Sequence, residues 1–324
     1  MDVKNAFLHT DLHEDIYMKL PSGMTTSSPH DVFLLLVYVD DIILTCTDCG
    51  LITKLQQLLH VTFHMKDLGQ LTYFLGLEVH HRAHGIFVNQ HKYIQNLITL
   101  IGLEDTSFVD TPMDVNVKYR KDEGDLLDDP TLYRRLVGSL IYLTTTRPDI
   151  SDVVHQVSQF MSSPQHLHLT TVRCIIRYLR GSPTRGLFFP TDSSLQLVAY
   201  SDANWAGCPD TRRSTTGWCI FLGDTLISWK CKKQNHVSKS STEVECRAMS
   251  TTCSEIVWLR GLLEELGFPQ STSTPLHTDN TSAIQIATNP VFHKRTKHIE
   301  IDCHSIRDTL ESRVISLPHI SSDL

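Results

Sequence analysis

The sequence predicts a multidomain chain of the α+β / α/β kind, ending in a mixed sheet with flanking helices. Three observations predict it. At 324 residues the chain is long enough for two or three domains with cores of their own. Apolar residues make up 41% and charged residues 20%, the balance of a globular protein rather than a disordered or membrane-embedded one. The last third reads as three strands, a long helix, a further strand and a helix, a pattern that packs helices on a sheet.

Composition also excludes some classes. A formal net charge of -7 argues against nucleic-acid binding by overall charge, so any basic surface must be local. Nine cysteines, an odd number, lie scattered without the spacing of a disulfide framework. No charged-then-apolar leader follows Met1, so the expectation is an intracellular, reducing location, cytoplasmic or nuclear. The longest apolar run, Val32 to Val39, is far too short to span a bilayer, and no membrane partner is expected.

The elements follow in order. In "VYVDDIIL", Val37 to Leu44, the adjacent Asp40 and Asp41 interrupt a run of strand formers as the tip of a hairpin would. "LITKLQQLLHVTFH" is an apolar helical run. Cys46, Cys49, His60 and His64 come near zinc-finger spacing, but the inner gap of ten residues is shorter than the usual span of about twelve, and zinc is not expected. "LTYFLGLEVHHRAHGIFVNQ" alternates like a hairpin around Ala83, His84 and Gly85. From Glu104 to Asp129 nine acids face only Lys118, Arg120 and Lys121, which reads as a solvated connection. Helices are expected over Tyr133 to Leu143 and Ile150 to Met161, and in "TTVRCIIRYLRG" up to Gly181. "GSPTRGLFFPTDSS" reads as a second boundary.

Carboxylates concentrate the chemistry of the last third. "LQLVAYSDANWAG" reads as a strand ending in Asp202, and "STTGWCIFLGDTLISWKCKK" as two strands around Gly223 and Asp224. A long helix follows, with Ser240 and Glu243 forming a capping box and Gly267 and Pro269 closing it. Glu245 falls on the apolar stripe of that helix with Met249, Cys253, Ile256, Leu259 and Leu263, while Glu243 lies roughly opposite. A carboxylate on a core-facing stripe is costly unless something positive compensates it. Asp279 follows a short strand, Leu276 to Thr278, at the start of a helix, where alone it would be an ordinary N-cap. Together, Asp202, Glu245 and Asp279 are hard oxygen ligands arriving from three elements, the donor set Mg²⁺ takes.

"YSDANWAG", "SKSSTEVECRAMS" and "HTDNTSAIQIATNPVFHKRTKHIEID" resemble the ribonuclease H domain of copia-type retrotransposon Pol polyproteins. The resemblance continues through "LVGSLIYLTTTRPDISDVVHQVSQFM", "MKDLGQLTYFLGLEV" and "YVDDIIL" to "MDVKNAFL". It implies a reverse transcriptase palm over residues 1–66, a connection over 67–190 and a ribonuclease H-like domain over 191–324. It also implies that Asp202, Glu245 and Asp279 bind the metals of the nuclease, and that Asp2, Asp40 and Asp41 match the three aspartates of the polymerase. The implied cofactor is Mg²⁺, with Mn²⁺ as a substitute, and the implied partner is an RNA–DNA hybrid. Local basic patches suit its phosphates: Lys230, Lys232, Lys233 and Lys239, with Arg212, Arg213, Arg295 and Lys297 nearby. Lys294 belongs to the same run. Trp205, Trp218 and Trp229 read as core.

Two departures from the family bear on activity. Only 37 residues separate Asp2 from Asp40, where family members carry a much longer segment that positions template and nucleotide. The chain also stops at "VISLPHISSDL", short of the segment whose aspartate resembles a fourth nuclease carboxylate; Glu300 and Asp302 are the nearest stand-ins, and His298, His304 and His319 could assist proton transfer. The expectation is a fragment with an incomplete polymerase site and three of four nuclease acids. The alternative is a non-catalytic relic that at most binds hybrid nucleic acid.

Overall fold

The computed structural model describes residues 33–39, 41–63, 66–103, 107–114, 119–121, 124–289 and 299–321. The chain divides into two compact units, Met1–Leu71 with Glu265–Gly267, and Thr72–Glu264 with Phe268–Leu324.

In the first unit, β1 (Phe33–Tyr38) pairs antiparallel with β2 (Asp41–Cys46). Tyr38 faces Asp41 at the closed end of this hairpin. Val39 adopts φ +49°, a conformation that costs a β-branched residue energy and that only a demanding turn imposes. Helix α1 (Cys49–Phe63) starts after Asp48, whose Oδ1 accepts the N–H of Gly50 at 2.7 Å, and it buries Leu51 and Leu55.

The second unit opens with β3 (Tyr73–Phe74), β4 (Leu77–Arg82) and β5 (Gly85–Asn89). Arg82 faces Gly85, which leaves Ala83 and His84 as the expected hairpin turn. Helices α2 (His91–Leu100), α3 (Thr131–Leu143), α4 (Ser151–Ser158) and α5 (His166–Gly181) share one core, built on Ile94, Leu136, Leu140, Val157, Ile175 and Ile176. Arg147 is 1% exposed and ties this bundle together. Its guanidinium donates to both Asp149 oxygens at 2.9 and 2.7 Å and to the backbone and hydroxyl oxygens of Ser182 at 2.9 Å. The stretch read as a second boundary instead contains a strand, β6 (Gly186–Pro190), which returns to pair with β5 from Gly85↔Pro190 to Asn89↔Gly186. Gly, Pro and Ser around "GLFFP" hid it, since the partner strand lies almost a hundred residues upstream.

Strands β7 (Leu197–Asn204), β8 (Thr215–Leu222) and β9 (Thr225–Lys233) form an antiparallel meander. The β8–β9 turn needs Gly223, at φ +57° and pressed against Ser193 and Ser194. Helix α6 (Ser241–Glu265) crosses the sheet; β10 (Thr274–His277), α7 (Thr281–Thr288), α8 (Glu300–Glu311) and β11 (Ile315–Ser316) complete it. The sheet order is β11-β10-β7-β8-β9, with β10 parallel to β7 and β11 parallel to β10. This is a mixed sheet with flanking helices, as the sequence predicts. Its core runs from Ala199 and Ile220 on the strands through Met249, Cys253 and Ile256 on α6 to Cys303 and Ile306 on α8. Strand β7 passes the expected end at Asp202 and runs on to Asn204, because Ala203 and Asn204 still pair with Thr216 and Thr215. Trp218 is core as expected, but Trp205 is 54% exposed, with its indole N–H donated to the Ser238 carbonyl. No helix among the described residues is long and apolar enough to cross a membrane.

The bundle docks on this sheet through alternate residues of β9. Trp229 donates its indole N–H to the Thr144 carbonyl at 3.0 Å, the Cys231 thiol meets Asp152, and Lys233 donates to Gln159 Oε1 at 2.8 Å.

Candidate metal centre

Three elements deliver the three acids. Asp202 stands near the end of β7, Glu245 lies in the second turn of α6, and Asp279 comes two residues after β10. One carboxylate oxygen from each lies within 4.8 Å of the other two. Asp202 and Asp279 are exposed, whereas Glu245 is only 4% exposed.

Local sequence explains how they meet. Ala203 packs with Val244 and Ala248, and these small and medium side chains let the start of α6 lie close on β7. Glu245 Oε1 therefore accepts the backbone N–H of Ala203 at 3.0 Å. Its Oε2 is buried with no hydrogen-bond partner. A lysine partner, the ordinary way to compensate such a group, is not what the fold supplies. Burial, then the negative charges of Asp202 and Asp279, push the Glu245 carboxyl up to about 8, although the Ala203 N–H pulls the other way. Buried, crowded and incompletely satisfied carboxylate oxygens are what a divalent cation would relieve, so these residues fit one.

The capping roles are distributed differently from the sequence reading. Asn280, not Asp279, caps α7: its Oδ1 accepts the N–H of Ala283 at 2.9 Å. Asp279 is thereby free of the helix and available to the other acids. At α6, Ser240 Oγ accepts the Glu243 N–H at 3.3 Å as expected, and Glu243 reaches back to accept the N–H of Lys239 at 2.8 Å. The other Glu243 oxygen pairs with Arg247 at 2.8 Å, and Arg247 Nε lies 3.9 Å from Asp302. Asp302 is thus turned to Arg247, and Glu300 is exposed at the start of α8; neither joins the three acids. His319 approaches the site, with Nε2 3.0 Å from the Asp279 carbonyl. His304 is exposed on α8, and His298 lies outside the described residues.

The other expected site residues divide. Asp41 opens β2 and is exposed; Asp2 and Asp40 lie outside the described residues, as do Lys294, Arg295, Lys297 and His64. Lys230, Lys232, Lys239, Arg212 and Arg213 are exposed. Lys230 stands over the Trp218 ring at 5.7 Å. Lys233 is engaged by Gln159 and also donates to the Cys208 sulfur at 2.8 Å, which helps to hold that thiol at about 7 against burial. Lys232 opens on a cleft of about 420 Å³ shared with His236, Arg247 and Asp302. Sequence reasoning missed Arg247, whose signal was its i,i+4 spacing from Glu243. It also missed the stacked rings of Tyr200 and His277, each two residues before an acid.

Residues 27–115, which contain the hairpin of β1 and β2, match the family described as reverse transcriptase (RNA-dependent DNA polymerase). Over 99% of its length the chain is 37% identical to the Retrovirus-related Pol polyprotein from transposon RE1 of Arabidopsis thaliana. The chain belongs to the copia-type retrotransposon Pol polyprotein family. This Pol fragment spans 25% of the RE1 polyprotein. It also covers 93% of the Arabidopsis thaliana uncharacterized mitochondrial protein AtMg00810, at 42% identity over 69% of its own length. Among solved structures, the RNase H1 of Halobacterium salinarum overlays 40% of the Pol fragment and 87% of its own chain, with 15% identity and a TM-score of 0.28.

Proposed function

We propose that Asp202, Glu245 and Asp279 of this Pol fragment hold a divalent cation, Mg²⁺ or in its place Mn²⁺, and that the centre cleaves the RNA strand of RNA–DNA hybrids. The observation that carries the reading is the convergence of three carboxylates from three elements on a point where one buried oxygen has no partner. A cation there would activate a water and stabilise the leaving oxygen of a phosphodiester. The chain's own residues prepare the place. Glu245 is fixed by the Ala203 N–H, Asp279 is released from capping by Asn280, and exposed Lys230, Lys232 and Lys239 stand ready for the phosphates of the hybrid. In the same reading Arg212, Arg213, Arg295 and Lys297 also bind phosphates of the hybrid.

We assign residues 1–66 to a residual palm, 67–190 to the connection and 191–324 to the ribonuclease H-like domain. Asp2, Asp40 and Asp41 descend from the polymerase metal site, but the palm is inactive in polymerisation. The support is internal: 37 residues separate Asp2 from Asp40. The match to RE1 runs over 371 aligned positions against 324 residues, so the relative carries segments within the match that this chain lacks. Positioning supplies most of the catalysis in phosphoryl transfer, and bare aspartates do not replace it.

Nuclease turnover is expected to be weak, because no fourth carboxylate joins the three among the described residues. That same observation favours the second reading, a relic that binds hybrid without cutting it. Incubating the chain with a labelled RNA–DNA hybrid and Mg²⁺ or Mn²⁺ separates the two. Metal-dependent cutting that Asp202→Asn abolishes supports the nuclease; salt-sensitive binding without cutting supports the relic.

A further inference from the structure

Strands β7 and β10 are parallel neighbours, yet they pair only through Ala199 with Leu276 and Tyr200 with His277. Beyond that pair the ladder ends, and by Ala203 the backbone N–H of β7 is taken by Glu245 instead. On its other side Asp202 is still paired with Gly217 of β8, and Thr278 is bridged to His319, but the register between β7 and β10 stops short of the two exposed acids. They carry like charge, and repulsion favours their separation.

The last paired residues carry rings. Tyr200 and His277 stack with centroids 4.8 Å apart and an interplanar angle of 17°. That separation matches the spacing of about 4.8 Å between hydrogen-bonded strands, so the rings stand side by side directly above the last rung. Phe221 on β8 meets the Tyr200 ring edge-on at 6.0 Å and fixes it from the other side. Two residues beyond the rings come Asp202, still on β7, and Asp279, past the end of β10.

Resting on the proposed metal site, we infer that the Tyr200–His277 stack is a positioning device: it extends the strand spacing past the end of the ladder and holds Asp202 and Asp279 at ligating distance. Neither ring is a ligand. The pair acts through the two aspartates, and what matters is the flat face of each ring rather than the imidazole nitrogens.

Mn²⁺ binding to the full chain, followed by electron paramagnetic resonance with folding verified by circular dichroism, tests this. His277→Leu and Tyr200→Leu keep most of the side-chain volume and remove one face of the stack. Each is expected to weaken Mn²⁺ binding roughly three- to ten-fold, the worth of one aromatic stack. His277→Phe keeps the stack and should bind within about two-fold of the unaltered chain. A general loss of packing would not distinguish phenylalanine from leucine at this position. Leucine variants that bind Mn²⁺ as the unaltered chain does would overturn the inference, and so would a phenylalanine variant as weak as His277→Leu. An unaltered chain that binds no Mn²⁺ would overturn the metal site itself, and the positioning role with it.

Discussion

Glu245 is buried beside two exposed acids, and its protonation changes stability with a defined sign. In the unfolded chain its carboxyl ionises in the ordinary range; in the fold, burial and the neighbouring acids raise it to about 8. Between those values the folded state binds the extra proton, so stability falls as pH rises through that window. Without added metal, the melting temperature should therefore drop between about pH 5 and about pH 8.5. A cation replaces the proton, so the rise in melting temperature on adding Mg²⁺ should be larger at the upper pH. Glu245→Gln should flatten the slope that this residue contributes and shrink the Mg²⁺ effect. A Mg²⁺ effect that grows as pH falls would run against the assignment.

At the scale of elements, α7 and β10 show how neighbouring residues divide structural and chemical work. Asn280 caps the helix and Asp279 faces the acids, so the two should separate on mutation. Asn280→Ala should cost about 1 kcal/mol of stability, the ordinary worth of an N-cap, and leave Mn²⁺ binding in place. Asp279→Asn should abolish Mn²⁺ binding with little change in stability. Chemical denaturation and a metal titration of both variants would check this, and an Asn280→Ala variant that keeps its full stability would show the division to be wrong. The sequence revealed Asp279 as a residue at a strand-to-helix junction but not which of Asp279 and Asn280 does the capping, because both side chains suit an N-cap. Periodicity placed Glu245 on the inward face of α6, since a stripe of apolar residues fixes the helix rotation. It could not place β6, whose identity as a strand depends on β5 far away in sequence. Nor could it show that Lys233 is held by Gln159 and Cys208, because both partners come from other elements.

For the whole molecule, the relevant body is the second unit, in which the helical bundle and the five-stranded mixed sheet are joined. Alternate residues of β9 meet α4 and the residue that follows α3, and Thr225 donates to the Phe188 carbonyl of β6. The bundle itself is locked by Arg147, a buried charge whose removal should cost about 3–5 kcal/mol. Bundle and sheet are therefore expected to unfold together. Fluorescence from Trp205, Trp218, Trp229 and Trp258, all in this unit, should follow the same melting curve as the far-ultraviolet dichroism. Arg147→Ala should shift both curves equally, although Arg147 lies outside the sheet. Two separated transitions, with only the earlier one moved by Arg147→Ala, would show that the sheet stands without the bundle.

If the three carboxylates from β7, α6 and the residues just past β10 form one cation site, a bound metal can be located among them. Anomalous diffraction from crystals of the full chain grown with Mn²⁺ reads this most directly. A single strong peak is expected, with oxygens of Asp202, Glu245 and Asp279 at ligating distance, and absent from crystals of the Asp202→Asn variant. A chain crystallised at the same Mn²⁺ concentration with no peak among these three residues would contradict it.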